Sequence, residues 1–353
     1  MNHWNPTDET RFLRQGRYDP DDPVCRLYWS GSGLRCRMKC TYMTVEASLP
    51  EGPHTAWLGV EVDDAPVARF ALLPGRHTYP VLSGLDGETP HEITLLRDTQ
   101  PTDEGAGAVT ICAIETDGEP IAARPKPLML EFIGDSLTVG EGTLGPVSAQ
   151  EWRMAWISHL PGFAAGVARR MNAERRVIAL GGWGVWRAWD TNEQNRIGRI
   201  YDRLCAVVPE GDVPYDFSRQ RAPDAVIVNL GTNDAGAYRQ LTGAARESAP
   251  EQVTRRAVEL LEQVRAAAPE AWILWAYGLC GDALSDSLRA AVEERRAAGD
   301  ARVRYVPLTD CGSDLGARSH PGRAAHQRAA DEICAALRAC GIVPRETDGF
   351  SAL

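Results

Sequence analysis

The chain has 353 residues, of which 44% are apolar, 24% charged and 7% aromatic. That is an ordinary globular balance and long for a single core, so two domains are expected. Lys and Arg total 38 against 48 Asp and Glu, a net charge of −10, which argues against nucleic-acid and anionic-membrane partners. Only Lys39 and Lys126 are lysines, the arginines are scattered, and tryptophan (10) outnumbers phenylalanine (6).

The start of the chain has no basic segment followed by an apolar core, so no secretory signal is read there. The longest apolar stretch, Ala271–Cys280, is about half of what a membrane span needs. Cys36 and Cys40 on one strand face would lie about 13 Å apart, too far for a disulfide without a turn. Neither a Cys-x-x-Cys pair nor a His/Cys cluster suggests zinc, and His320 and His326 lack a third ligand. The expectation is a cytoplasmic protein with reduced thiols, no metal and no cofactor.

Chain order begins with β structure. Met43, Val45, Ala47 and Leu49 alternate with polar residues, and Leu58, Val60 and Val62 repeat the pattern. Asp63-Asp64-Ala65-Pro66 then turns the chain toward a run from Val67 to Leu73, and strands at His91–Leu96 and Ala108–Glu115 follow. Short strands at this spacing predict an all-β sandwich. Pro120, Pro125 and Pro127 break the pattern, so the boundary is placed between residues 1–125 and 126–353. From Leu128 the character is α/β: unalternated apolar runs at 128–133, 176–180, 224–230, 271–278 and 302–307 predict strands covered on both faces. One intervening helix is expected over Glu251–Ala268, with Ser248/Glu251 as a capping box, and a last one from about Pro321 to just before Gly341. The second domain is therefore a three-layer α/β domain with a parallel sheet.

In such sheets ligands gather at the carboxyl ends of strands. Gly134-Asp135-Ser136-Leu137, Gly181-Gly182-Trp183-Gly184, Gly231-Thr232-Asn233-Asp234 and a loop reaching His320-Pro321 follow four of the runs. They deliver a hydroxyl, a glycine backbone, a carboxamide and an imidazole. Those are the parts of an acyl-transfer site: a nucleophile (Ser136), a general base (His320), and oxyanion donors from the Ser136 and Gly182 N–H groups and the Asn233 side chain. Gly140-Glu-Gly-Thr-Leu-Gly145 has dinucleotide-fingerprint spacing but does not open a helix directly after a strand, so it is rejected. Gly134-Asp-Ser-Leu-Thr138 lacks the second glycine of the α/β-hydrolase elbow.

Glu131-Phe-Ile-Gly-Asp-Ser-Leu-Thr-Val-Gly140, Asn229-Leu-Gly-Thr-Asn-Asp234 and His320-Pro321-Gly322 resemble the blocks of the SGNH (GDSL) esterase superfamily. Within it the chain, from about Tyr28 to Gly341, is similar to carbohydrate esterase family two. Tyr28-Trp29-Ser30-Gly31-Ser32-Gly33 looks like the start of that family's N-terminal jelly-roll sandwich. The resemblance implies a serine esterase that removes O-acetyl groups from mannan- or xylan-derived oligosaccharides. It implies Ser136 as nucleophile, His320 as base, and Gly182 and Asn233 in the oxyanion hole. A sugar O-acetyltransferase and a non-catalytic glycan-binding protein are the rival readings.

The superfamily places an aspartate three residues before the histidine, and here that position is Ala317. Three groups are candidates to hold the histidine Nδ1–H: a backbone carbonyl first, then Asp314, then Asp310. Trp183, Trp186 and Trp189 follow the oxyanion glycine at three-residue spacing and suggest a stacking wall for a sugar, with Trp183 the first choice. Trp275 and Tyr277 are expected in the core, and Trp152 or Trp156 at the edge of the site. His54, His77, His91 and His159 are read as surface or turn residues.

Overall fold

The computed structural model describes residues 2–102 and 107–344, and the chain divides into two compact units. The first comprises Met1–Pro125 together with Arg153–Leu160 and Arg203–Tyr215, and the second comprises the rest.

Eleven strands build the first unit among the described residues: β1 (Asn2–Trp4), β2 (Leu13–Gln15), β3 (Cys25–Leu27), β4 (Gly33–Met38), β5 (Tyr42–Leu49), β6 (Trp57–Val62), β7 (Ala65–Ala71), β8 (Gly75–Ser83), β9 (His91–Arg97), β10 (Val109–Thr116) and β11 (Ile121–Ala122). They form two antiparallel sheets, ordered β1-β10-β5-β8 with β3 also on β10, and β11-β4-β9-β6-β7 with β2 also on β4. The alternation read in β5 is real: Met43, Val45, Ala47 and Leu49 are buried and the residues between them are half-buried. Those four share one core with Leu34 and Cys36 of β4, Leu58 and Val60 of β6 and Ile93 and Leu95 of β9. A large apolar side chain so buried contributes roughly 1.5–3 kcal/mol. The turn after β6 needs only two residues. Asp63 and Asp64 both take positive φ (51° and 63°), which matches the strand twist and lets β7 start at Ala65.

Two later segments join this unit through buried polar contacts. Asp98 accepts from Arg69 Nε (2.5 Å), Ser158 Oγ (2.7 Å) and the Leu160 N–H (3.0 Å). The indole N–H of Trp29 donates to the Leu204 carbonyl at 2.8 Å, and Arg17 donates to that of Arg203 at 2.8 Å. His159 lies in the first of these segments and is fully buried, against the surface placement expected for it.

The second unit is a parallel sheet of β12 (Leu128–Gly134), β13 (Ala173–Ala179), β14 (Ala225–Asn229), β15 (Trp272–Tyr277) and β16 (Val303–Pro307), in the order β13-β12-β14-β15-β16. Its helices are α1 (Ser136–Val139), α2 (Phe163–Met171), α3 (Thr232–Gln240), α4 (Gly243–Ala267), α5 (Ser285–Ala297) and α6 (Arg323–Ala339). α2 packs with α6 and α4 with α5, and β12, β13 and β14 are buried throughout. An all-β region followed by a parallel three-layer α/β unit is the architecture expected.

Two boundaries differ from the expectation. β13 starts at Ala173, where Glu174 accepts from the Lys126 N–H at 2.8 Å, and within the expected run Arg176 pairs with Glu131 at 3.0 Å while Tyr201 donates to the same carboxylate at 2.7 Å. Satisfied in this way, charged residues can occupy a covered strand. α4 runs through Pro250, so Ser248 and Glu251 lie inside it and do not cap it. There Ser248 Oγ accepts from Gln252 at 3.0 Å. No helix among the described residues is long and apolar enough to cross a membrane.

Candidate active site

Register brings the strand ends level. Gly134 of β12 pairs with Ala179 of β13 on one side and Asn229 of β14 on the other. The order reverses at β12, the position where open α/β sheets leave a crevice. Ser136, Gly182 and Asn233 therefore leave the sheet from three adjacent strands within a few residues of one level.

Ser136 begins α1, capped by Asp135, whose Oδ1 accepts from the Leu137 N–H at 3.0 Å. His320 reaches the serine from the loop before α6: its Nε2 is 3.0 Å from Ser136 Oγ, and its Nδ1 is 3.1 Å from the Arg318 carbonyl oxygen. A carbonyl only accepts, so Nδ1 carries the proton, and Nε2 is left to accept the serine O–H. The loop is shaped for this. Arg318 and Ser319 both have φ of 56°, a region that costs a non-glycine residue of order 1 kcal/mol or more, and the Arg318 N–H is held by the Ala149 carbonyl at 2.8 Å. Opposite, Gly142 has φ of 82°, and a Cβ there would collide with His320 Cβ.

Asp314 does not touch His320. Its carboxylate accepts from the Ala325 N–H and its carbonyl from the Gly322 N–H (2.8 Å). Asp314, ranked behind a backbone carbonyl as a candidate for Nδ1, is thus engaged elsewhere, and the cause is local. The cap residue of α6 is Gly322, which has no side chain, so the first free N–H groups of the helix recruit Asp314. Asp310 serves the Gly312 N–H at 2.7 Å.

Asn233 joins the serine turn to the glycine loop, with Nδ2 donating to Asp135 Oδ2 (3.2 Å) and the Trp183 carbonyl (2.9 Å). Next to it Asp234 is buried and accepts three backbone N–H groups, from Val185 (3.0 Å), Trp186 (2.7 Å) and Arg187 (3.0 Å). Burial raises its pKa and those three bonds oppose the rise. Asp135 has fewer donors. Burial first, then the charges of Asp234 and Glu141, push its carboxyl up to about 8. Gly182 takes φ of 83° in the tied loop, and its Trp189 neighbour would sit 3.2 Å from any Cβ there.

Of the three tryptophans, Trp183 is half-buried and lends its carbonyl to Asn233. Trp186 is buried, donates to Gln252 at 3.2 Å and carries the Arg187 guanidinium 3.7 Å over its ring. Trp189, beside Gly182, is 58% exposed. Trp275 and Tyr277 are buried as expected, and Trp156 belongs to the first unit.

Sequence reasoning missed Glu141 and Arg318. Glu141 is buried, forms an ion pair with Arg318, and places its other oxygen 3.8 Å from His320 Nε2. The only signal was a carboxylate in the glycine stretch set aside as a false nucleotide fingerprint. No group of three or more His, Cys, Asp or Glu able to hold a metal occurs among the described residues.

The GDSL-like lipase/acylhydrolase family matches residues 132–341, and the carbohydrate esterase 2 N-terminal family matches residues 14–125. A cellulase/esterase of Acetivibrio thermocellus is 29% identical over 346 residues, which is 94% of this chain and 40% of that protein. The chain spans less than half the length of the curated relatives it matches. Among solved structures, an acetyl xylan esterase from the rumen bacterium Butyrivibrio proteoclasticus superposes with a TM-score of 0.92 at 24% identity, covering 97% of this chain and all of that one. A family two carbohydrate esterase from Clostridium thermocellum, solved with cellohexaose, gives 0.82 at 27% identity over 94% of this chain and all of that one.

Proposed function

The chain belongs to the GDSL-like lipase/acylhydrolase family, and from that premise we propose that it is a serine esterase removing O-acetyl groups from carbohydrates. One observation carries the reading: a serine hydroxyl 3.0 Å from an imidazole whose other nitrogen is held by a carbonyl. Ser136 attacks the acetyl carbonyl while its proton passes to His320 Nε2. The bond from the acetyl carbon to the sugar oxygen then breaks, and His320 returns the proton to that oxygen. Water attacks the acetyl-enzyme by the same base, and acetate leaves.

This is a Ser–His dyad in which the Arg318 carbonyl holds the tautomer that a carboxylate holds in a triad. The Ser136 and Gly182 N–H groups and Asn233 Nδ2 are the proposed oxyanion donors. Binding there redirects one Asn233 N–H from Asp135, the longer of its two bonds, to the oxyanion. A sugar ring is proposed to lie against Trp189, with Trp183 behind it.

The acetyl xylan esterase and the cellohexaose complex support a β-linked oligosaccharide as substrate, and acetylated xylo- or manno-oligosaccharides are the proposed class. Nine free cysteines support a reducing, cytoplasmic setting. The test is acetate release from a panel of acetylated oligosaccharides, with Ser136→Ala as control and a free acceptor sugar in a parallel arm. Release catalysed by the wild type alone supports the reading. Acetyl transfer to the acceptor without net release makes the protein a transferase, and binding without turnover makes it a glycan-binding protein.

A further inference from the structure

His320 has a carbonyl where the superfamily has a carboxylate, and a carbonyl supplies no charge to the imidazolium that forms during turnover. A charge is nonetheless present on the other side of the ring. Glu141 follows α1, and its own N–H donates to the Ser136 carbonyl at 2.9 Å, so it moves with the nucleophile turn. One carboxylate oxygen pairs with the Arg318 guanidinium, and the other lies 3.8 Å from His320 Nε2. The carboxylate thus stands between guanidinium and imidazole with its free oxygen toward the ring. Its side chain is only 4% exposed, so the field between them is weakly screened. Arg318 acts twice: its carbonyl fixes Nδ1, and its side chain fixes the acid beside Nε2.

We propose that Glu141, anchored by Arg318, is a positioning residue for His320, supplying from the Nε2 side the negative charge that the missing aspartate would supply from the Nδ1 side. The proposal rests on the esterase reading for its catalytic consequence. At 3.8 Å the oxygen is beyond hydrogen-bond range of Nε2, so it leaves Nε2 free to accept the serine proton and acts through its charge. The groups facing His320 are Ser136 from α1, Glu141 from the following loop, Arg318 from its own loop, and His326 from α6. Burial pushes the pKa of His326 down to about 4, so it adds no charge at neutral pH.

The experiment compares Glu141→Gln, Arg318→Met and the double variant on a small aryl acetate. Glu141→Gln keeps the shape and removes the charge. Its kcat is expected to fall about tenfold with KM within about twofold, since the lost charge stabilises the imidazolium formed in the transition state and not the bound substrate. Arg318→Met is expected to lower kcat as well, and the double variant to be no worse than Glu141→Gln alone, because Arg318 side-chain atoms act through Glu141. Should Arg318→Met fail to fold, Glu141→Gln decides. An unchanged kcat in Glu141→Gln, or a loss carried by KM instead of kcat, overturns the proposal, as do losses that multiply in the double variant.

A second readout separates this from the esterase reading. Ser136 labelling by a fluorophosphonate forms a Ser–O–P bond, breaks P–F and sends the serine proton through His320. Slower labelling in Glu141→Gln, in a protein whose wild type is labelled yet releases no acetate, upholds the pair and overturns the esterase reading. A wild type that is neither labelled nor active overturns both.

Discussion

In the first unit Arg97 is fully buried and gives its guanidinium to four carbonyls, of Leu27 (3.2 Å), Thr99 (3.0 Å), Gln100 (3.0 Å) and Gly107 (3.2 Å). In the second unit Asp135 is equally buried, but its few donors do not offset burial or the nearby Asp234 and Glu141, and its carboxyl is pushed up to about 8. Both are ionisable groups taken out of water. Arg97 loses some basicity, its pKa lowered to about 10 by burial, and stays a cation holding backbone together. Asp135 is pushed toward its neutral form. A buried group with all its partners is structural, and a buried group short of partners beside a nucleophile is available to chemistry.

This contrast can be broken or sharpened by substitution. Ser136→Ala is expected to lower acetate release by at least about 10³-fold while the melting temperature stays near wild type. A stable, still active variant would detach the polar strand ends from catalysis. Arg97→Met removes the guanidinium that donates to four carbonyls and should destabilise by at least about 3 kcal/mol, read by urea unfolding. A smaller loss would mean that these carbonyls find water. Asn233→Ala removes one oxyanion donor and is expected to lower kcat by ~10²–10³, with steady-state kinetics as the measure.

Asp135→Asn tests the strained side of the comparison. The folded carboxyl titrates near 8 against 3.8 for the ordinary group, so the fold binds the proton more tightly than the unfolded chain. That contribution is complete below about pH 4 and is lost as pH rises toward 8. The Asn variant should therefore show a smaller fall in melting temperature between pH 5 and pH 9. The smallest effect belongs to Asp314→Asn: kcat within about twofold, and about 1 kcal/mol less stability from the weakened start of α6. A large loss of kcat in a folded Asp314→Asn protein would return that carboxylate to the histidine.

What could be read from the sequence was local. The period-two pattern of Met43 to Leu49 depends on one strand facing one core, and the Ser136, Asn233 and His320 blocks each sit in a turn whose residues are contiguous. What escaped depends on partners far along the chain. Glu174 looks unfit for a covered strand until the Lys126 N–H is seen beside it. α4 crosses Pro250 although the residue type argues for a helix start. Glu141 and Arg318 lie 177 positions apart, and neither carries a pattern by itself. Asp314, the second candidate for the histidine after a backbone carbonyl, is claimed by the free N–H groups of α6.

The segments that Trp29, Arg17 and Asp98 hold have a consequence for how the protein is made. Synthesis runs from the N-terminus, and the first unit needs Ser158, Leu160, Arg203 and Leu204 to satisfy groups in its first hundred residues. When residue 125 leaves the ribosome, the β-sandwich still has the buried Asp98 and the Trp29 indole without those partners. It reaches its final form only after the chain has passed Tyr215, by which point β12, β13 and the nucleophile turn are already outside. The unit that is translated first is completed late, and a gene cut at the apparent boundary would yield a sandwich missing two of its own pieces.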